Sequence, residues 1–411
     1  MSSFLPAFIL ICAVSFNAIL AVINGHVITL ARGHVIMAEV AVYAGAFAII
    51  VFRADRRMLP WLLLIFFIVL MGMFVSVGNG EFNAKYIRDV LVIPVFIMLG
   101  MTYQANTFSR PFLVLHTIVF LVAVLEIVSP DTYATIFKIL DYYINTRDFT
   151  ANSFWNTEST LFVSATRPGE RFFGFVDWHR ASSIFLEPVS LGNYCVIATI
   201  LIVVCWRELV MAARFYLIGS TLFLLVACDG RLASVSIVVV LLSVVVLHNI
   251  SSRVSAFYLP VIVLFSAGYV RLSHNYGGYD NFVGRVAGTI NALSQLDLFA
   301  LMGLNVRAAE NAADYGIVYF ILSQSLIGVV VIWLTVCLLA PGRTSTSRAY
   351  VHAIAIFIPL NLMVSYSFFS IKVASLIWFL YGYFHVRDLA YEAEYSGDRD
   401  VISPIVMRPA A

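Results

Sequence analysis

The sequence contains little charge. Only 12% of its 411 residues are Asp, Glu, Lys or Arg, whereas 61% are hydrophobic and the mean hydropathy is +0.93. Soluble domains carry about 25% charged residues. A water-soluble protein could not bury this much apolar material, so the composition excludes an ordinary soluble enzyme and indicates an integral membrane protein.

Three further patterns are missing. No basic run of five or more residues occurs and the net charge is only +2, so nothing indicates a nucleic-acid partner. The five cysteines show neither the spacing of a zinc site nor that of a disulfide framework. Histidine and glutamate do not cluster as metal ligands would. We therefore expect neither a metal nor another cofactor.

Long apolar segments fill most of the chain instead. A spanning helix needs about 20 mainly apolar residues, which predicts an all-α membrane protein of about twelve spans, within a range of roughly eleven to fourteen. The whole chain, 1–411, is then a single polytopic domain. The first segment lacks a charged start and is interpreted as a span, not as a signal peptide. The candidate spans are 4–23, 34–52, 59–77, 87–103, 111–129, 184–206, 213–228, 232–248, 254–270, 315–339, 350–369 and 372–387.

The arginines predict the orientation of these spans. Short loops rich in arginine stay in the cytoplasm. With the N-terminus inside, the cytoplasmic connections hold nine arginines, more than the short loops of the opposite side. An even number of spans returns the C-terminal tail, 388–411, to the cytoplasm. Both long loops, 130–183 and 271–314, then lie on the outer side of the membrane.

Each outer loop contains a stretch that favours a helix. In "YATIFKILDYYIN", 133–145, apolar side chains share one helical face, which is typical of a helix lying in the membrane interface. In "VGRVAGTINALSQLDLF", 283–299, Arg285 and Thr289 are four residues apart and share a face. Loops of this length are functional more often than they are simple connections.

The outer loops are rich in arginine and nearly free of lysine. A guanidinium binds phosphate oxygens through two parallel hydrogen bonds, which an ammonium cannot copy. Arginines just above a membrane therefore suit a lipid-linked phosphate or pyrophosphate. The alternative is that they bind lipid headgroups or pair with acids of the same loops. The two loops hold seven arginines, Arg147, Arg167, Arg171, Arg180, Arg271, Arg285 and Arg307, and the one lysine Lys138.

The stretch "RASSIFLEPVSLGNY", 180–194, places two charges at the start of an apolar segment. A carboxylate such as Glu187 is costly near a membrane and normally faces the protein interior or a wet cavity. Pro188 restricts Glu187 to extended geometry and suggests that the helix begins only after it. Glu187 could serve a substrate in that cavity, or it could only pair with an arginine of the loop.

Several of these stretches together resemble the Wzy-type polysaccharide polymerases of the O-antigen polymerase and ligase superfamily. "RASSIFLEPVSLGN" enters a span as the family's R-x-x-S/G-x-F-x-E-P stretch does, and "CDGRLAS" resembles its short turn before the next span. "GRVAGTINAL", "LFALMGLN" and "DYGIVYFILSQSLIGVVV" follow in the family's order. The chain departs from the pattern at Asp229-Gly230, where a serine is usual, and at Met302–Asn305, where a glycine-rich stretch is usual.

The resemblance implies a GT-C-like membrane glycosyltransferase in the bacterial inner membrane. Such an enzyme transfers a glycan from undecaprenyl pyrophosphate to the next lipid-linked repeat unit, without a metal. Arginines would then neutralise the pyrophosphate, with Arg180 and Arg285 first and Arg167, Arg171 and Arg271 behind them. The acceptor hydroxyl needs a general base, for which the order of candidates is Glu187, His179 and Asp177. The implied partners are the lipid-linked oligosaccharide, membrane lipid, a chain-length co-polymerase and a flippase.

Two other functions remain open at this point. An O-antigen ligase uses the same donor but transfers the glycan to lipid A-core, and the sequence separates it poorly from a polymerase. A flippase or other transporter belongs to a different class. Transporters place ionisable residues and broken helices near the bilayer midplane, whereas the middles of these spans are almost free of charge.

Overall fold

The computed structural model describes residues 4–105, 107–147, 160–161, 164–166, 171–273, 282–312 and 314–396, without the side chains after residue 391. Regular structure in this part of the chain is helical and contains no strand, which confirms the all-α prediction. The chain divides into two compact units. The first comprises Met1–Val51, Ala105–Ile237 and Ile371–Leu376, and the second comprises Phe52–Gln104, Val238–Ser370 and Ile377–Ala411.

The helices follow the apolar segments of the sequence, and short 3-10 turns lie between several of them. The α-helices of the described residues are α1 (Phe4–Val14), α2 (Phe16–His26), α3 (Arg32–Phe52), α4 (Leu59–Asn79), α5 (Ala84–Met101), α6 (Ser109–Val128), α7 (Pro130–Phe137), α8 (Ile139–Arg147), α9 (Pro188–Val204), α10 (Met211–Cys228), α11 (Arg231–Leu247), α12 (Tyr258–Ser273), α13 (Phe282–Ser294), α14 (Leu298–Leu301), α15 (Gly316–Leu338), α16 (Ser345–Leu362) and α17 (Ile371–Ser396).

Six of these helical segments are long and apolar enough to cross a membrane, or seven if the bent pair of α1 and α2 is one span. Two shorter apolar helices, α9 and α11, have 17 residues each. The long apolar helices indicate a membrane-embedded protein. The six segments are Arg32–Phe52, Arg56–Asn79, Ser109–Val128, Met211–Cys228, Ser252–Ser273 and Gly316–Leu338.

Two helices depart from the straight spans expected from hydropathy. The first expected span, 4–23, is two helices that meet at Ser15 with a bend of 64°. In α15, Ser325 has φ 64° and ψ 161°, a non-helical conformation inside the helix. The Ser325 hydroxyl accepts a hydrogen bond from the backbone N–H of Gly328, so it caps the second half of α15. Hydropathy detects an apolar segment but not a break within it.

The predicted interfacial helix over 133–145 is wrong as a single helix. Lys138 adopts the left-handed conformation, with φ 40°, and separates α7 from α8. Its ammonium donates a 2.9 Å hydrogen bond to the carbonyl of Gly25 at the end of α2. This bond stabilises the non-helical conformation of Lys138. The turn changes the buried face: α8 buries Ile139 and Tyr143, whereas Ile144 is exposed.

The predicted helix of the second loop is confirmed over most of its length, since α13 covers Phe282–Ser294. It ends earlier than residue 299, and the short α14 follows separately. The shared face is also confirmed: the Thr289 hydroxyl donates a 2.7 Å bond to the carbonyl of Met363, and Arg285 donates a 3.5 Å bond to that of Val364. This face of α13 therefore packs on the chain that follows α16.

Candidate functional site

Glu187 is the N-cap of α9. Its backbone is extended, with φ −140° and ψ 123°, and the helix begins at Pro188, as the Glu-Pro sequence predicts. The preceding Ser183–Phe185 turn ends at Leu186 in the left-handed conformation. The Glu187 side chain is only 16% exposed.

Two cations converge on that carboxylate from distant parts of the sequence. Lys372, in the first turn of α17, places Nζ 2.6 Å from Oε2 of Glu187, and Arg147, the last residue of α8, places Nη1 2.8 Å from Oε1. Lys372 also donates to the carbonyl of Phe185, and its side chain is only 2% exposed. The Tyr143 hydroxyl donates to Oε1 of the same carboxylate. A buried charge is stable only when it is paired in this way.

These neighbours determine the charge of Glu187. Burial of the carboxyl would raise its pKa, but the charges of Lys372 and Arg147 lower it further than burial raises it, to about 2. Glu187 is therefore ionised at neutral pH and is a weak base. A general base works best with a pKa near the working pH, so the electrostatics favour an orienting and charge-balancing role for Glu187.

The first long loop is attached to the end of α10 by Arg171. Its guanidinium donates to the carbonyls of Val226 and Ala227 and to those of Trp178 and His179. A guanidinium at the C-terminal end of a helix is favoured by the helix dipole. These bonds occupy the Arg171 fork with backbone carbonyls, so its contacts are those of a structural residue.

Asp229 completes this attachment from the other side. It is the left-handed C-cap of α10, and its carboxylate accepts a 3.0 Å bond from the backbone N–H of Phe173. The carboxylate also lies 3.9 Å from Nε of Arg171. Asp229, one of the positions where the sequence departs from the family pattern, therefore attaches the loop to α10.

Arg180 lies beside this junction. Nε donates to the carbonyl of Cys228 and Nη1 to that of Ser164, both over 3.3 Å. These bonds are at the long end of the range for N–H···O hydrogen bonds. Four buried polar side-chain atoms in this part of the loop have no hydrogen-bond partner within the described structure: Oγ of Ser164, Nε of Arg171, Nε2 of His179 and Oγ of Ser182. Buried polar atoms without partners mark a place where a ligand or water can bind.

Glu126 is a residue of this region that the sequence did not predict. It lies in the last turn of α6, is fully buried and accepts hydrogen bonds from the backbone N–H groups of Ser182 and Ser183 at 2.7–3.0 Å. Nε2 of His179 lies 3.5 Å from Oε1 of the same carboxylate. The structure thus brings His179, the second candidate base, next to an acid from a different helix.

The remaining candidates lie elsewhere. Arg285, in the second unit, forms a 2.9 Å ion pair with Asp314. Arg271 is exposed near the end of α12, and Asp177 is exposed in the first loop. Arg167 lies outside the described residues. Of the predicted site residues, Glu187, His179, Arg171 and Arg180 lie in the first unit. Arg171 contacts His179, whereas Glu187 contacts Arg147 and Lys372.

Some signals in the sequence could have identified the missed residues. Lys372 is a lone lysine at the start of the last apolar segment, and Glu126 is a lone acid near the end of the fifth. An isolated ionisable residue in a membrane helix is by default a candidate functional residue. Among the described residues, no three His, Cys, Asp or Glu side chains are grouped as metal ligands would be.

Comparisons with models of known protein families, with curated proteins and with solved structures find no match to this chain.

Proposed function

We propose that this chain is a membrane glycosyltransferase that polymerises undecaprenyl-pyrophosphate-linked oligosaccharide repeat units. The reaction takes place at the periplasmic face of the bacterial inner membrane, in a GT-C-like bundle of about twelve spans. Each of the twelve apolar segments of the sequence corresponds to a helix or, for the first, to a bent pair. The proposal places both termini in the cytoplasm.

The observation that carries this proposal is the position of the ionisable residues. Four charged residues of the first unit lie at helix ends: Glu126 in the last turn of α6, Arg147 at the end of α8, Glu187 before α9 and Lys372 at the start of α17. Glu39 in α3 and His116 in α6 lie further inside their helices. Charges at the ends of apolar helices lie at a membrane surface, where the headgroup of a lipid-linked substrate lies. Transport sites are more often near the bilayer midplane.

The arginines and Lys372 supply positive charge for a pyrophosphate leaving group. Arg180 is our first candidate, because it lies where the loop meets the end of α10 and a guanidinium binds phosphate oxygens well. Arg285 has the same role by resemblance, and Arg167 and Arg271 are secondary candidates. Arg171 is assigned to structure, since it joins the loop to α10.

Glu187 is assigned to orienting Arg147 and Lys372 and not to proton abstraction. Its pKa of about 2 makes it a poor acceptor for a hydroxyl proton at neutral pH. The next candidate in order, His179, then becomes the base, and Asp177 stays as the third.

The experiment is polymer formation by purified protein in liposomes supplied with lipid-linked repeat units. Arg180→Lys and Arg285→Lys, tested separately, keep the charge but lose the two-pronged geometry. Each is expected to lower the rate by about 100- to 1000-fold, as loss of a charge-stabilising contact does. Arg207→Lys, at an exposed position between α9 and α10, is the matched control and should behave as wild type. Normal polymer from both Arg180→Lys and Arg285→Lys would reject their proposed roles.

A transporter is the second candidate, and the helix breaks at Ser15 and Ser325 favour it. Broken helices are typical of transporter binding sites. The same liposomes separate the two functions. A polymerase forms new glycosidic bonds and a ladder of longer glycans, whereas a transporter moves labelled lipid-linked oligosaccharide across the bilayer without lengthening it. A ligase would lengthen nothing until lipid A-core is added.

A further inference from the structure

The carboxylate of Glu126 lies at the centre of a small polar cluster in the first unit. Glu126 is 0% exposed although the rest of α6 is largely apolar. Placing a carboxylate there is costly unless hydrogen bonds compensate it. Its two oxygens accept the backbone N–H groups of Ser182 and Ser183, and Oε1 also faces His179.

His179 is held so that its ring faces that carboxylate. Arg171 donates to the carbonyls of Trp178 and His179, which attaches this part of the loop to the end of α10. The ring extends toward α6, and Nε2 is buried 3.5 Å from Oε1 of Glu126 without a hydrogen bond of its own. A contraction of a few tenths of an ångström would make this contact a hydrogen bond, and such contacts commonly tighten when substrate binds.

We propose that Glu126 and His179 form the proton-accepting pair of the site, with His179 as catalytic base and Glu126 as positioning residue. This inference rests on the proposed glycosyltransferase function. Glu126 fixes the ring by accepting Nε2–H, which leaves the lone pair of Nδ1 for the proton of the acceptor hydroxyl. Arg180, the next residue, is then one position away from the base.

The step balances without a further reactant. Nδ1 of His179 takes the hydroxyl proton as the acceptor oxygen forms a bond to the anomeric carbon of the donor sugar. The bond between that carbon and the pyrophosphate oxygen breaks, and the pyrophosphate leaves with the electron pair. The imidazolium that forms is stabilised by the Glu126 carboxylate, in the manner of a histidine paired with a buried acid.

A purely structural role for Glu126 predicts a different result. If the carboxylate only holds the backbone of Ser182 and Ser183, then Glu126→Gln keeps an oxygen for those N–H groups and should leave turnover unchanged. If it also positions His179, the neutral amide should lower kcat while donor binding survives. The kcat of Glu126→Gln therefore distinguishes the two roles, whereas its folding does not.

The test measures kcat and binding of the lipid-linked donor for His179→Ala, His179→Gln, Glu126→Gln and the control Asp141→Asn, at an exposed position of α8. Loss of a general base lowers the rate by about 100- to 10,000-fold, and imidazole added to His179→Ala should restore part of it. Glu126→Gln should lower kcat at least about tenfold, with donor binding within a few-fold of wild type, and Asp141→Asn should be normal.

The other outcomes overturn the pair. A normal kcat of His179→Gln would show that His179 is not the base, and a normal kcat of Glu126→Gln would show that Glu126 does not position it. If His179→Ala is slow and added imidazole does not restore its rate, His179 has a structural role. Failure of the proposed function is distinguishable, because the wild-type protein itself would then form no new glycosidic bond in the same assay.

Discussion

A single proline accounts for the conformation of the residue at the centre of the charged site. Because the Pro188 ring clashes with a helical residue before it, Glu187 is extended and occupies the position just before α9. The carboxylate can then reach Arg147 and Lys372, which come from the ends of two other helices. Local backbone chemistry therefore determines where this charge is placed.

The ion pairs of Glu187 predict a pH-dependent stability. The pKa of Glu187 is about 2 in the folded protein against 4.5 for the free side chain. Since the folded-state pKa is lowered, the pairs stabilise the fold above about pH 4.5, and this stabilisation is lost as the pH falls towards 2. Removing one partner of a buried pair costs about 3–5 kcal/mol, and we expect less here because Arg147 is 40% exposed.

Thermal unfolding of Glu187→Gln and wild type in detergent, followed from pH 7 to pH 3, measures this effect. The variant should have the lower Tm at pH 7, and the difference should narrow below pH 4.5. Glu187→Gln combined with Lys372→Met should recover part of the loss, because it removes the unpaired ammonium. Asp177→Asn is the exposed control. A difference in Tm that stays constant over this range would contradict the assignment.

The sequence predicted the features of this site that depend on neighbouring residues, but not the contacts between residues far apart in the chain. The extended Glu187 and the helix start at Pro188 depend on adjacent residues, so they could be predicted. Lys372 lies 185 positions along the chain from Glu187, and Glu126 lies 56 positions from Ser182. No local rule connects positions so far apart, because their proximity results from helix packing.

For the helices, hydropathy likewise predicts what depends on local sequence and misses what depends on tertiary contacts. The apolar segments correspond to helices, since a buried backbone in lipid needs internal hydrogen bonds. The division of the interfacial segment into α7 and α8 depends on the bond from Lys138 to Gly25, a tertiary contact. The reversal at this one residue could not be inferred from the periodicity of the apolar side chains.

The crossing of α5 and α17 in the second unit depends on two glycines. A methyl group at Gly100 would overlap the carbonyl oxygen of Phe379, and one at Gly382 would overlap that of Ile97. The two helix backbones therefore touch directly, an arrangement for which membrane helices use small residues. Because backbone atoms oppose both positions, the contact cannot be relieved by turning a side chain.

We therefore expect Gly100→Ala and Gly382→Ala to destabilise the protein. Overpacking typically costs about 1–3 kcal/mol and sometimes more. The matched control is Gly268→Ala in α12, where an added methyl group meets nothing within 4 Å. The measurement is the folded fraction and Tm after purification. Wild-type behaviour of both Gly100→Ala and Gly382→Ala would show that the two helices do not cross so closely.

At the scale of the whole molecule, the contact between Lys372 and Glu187 constrains the topology. It joins the start of α9 to the start of α17, so in the proposed membrane arrangement both helix ends lie on one side of the bilayer. Between these two points the chain passes through α9, α10, α11, α12, α15 and α16. Six single crossings return the chain to the side from which it started. This parity is what the proposed twelve spans require, and it supports counting the short helices α9 and α11 as spans.

Reporter fusions test the same parity along the chain. A periplasm-dependent reporter placed after residue 150 or after residue 295, in the two long loops, should be active, and one placed after residue 345 should be silent. In the proposed topology α15 crosses the membrane once between the last two sites, and the arginine-rich connection before α16 stays in the cytoplasm. A reporter active only in the cytoplasm, fused at the same three positions, is the control and should give the opposite pattern. Periplasmic activity of the reporter at 345 would show that α15 does not cross the membrane once. The number of crossings between Glu187 and Lys372 would then no longer be six.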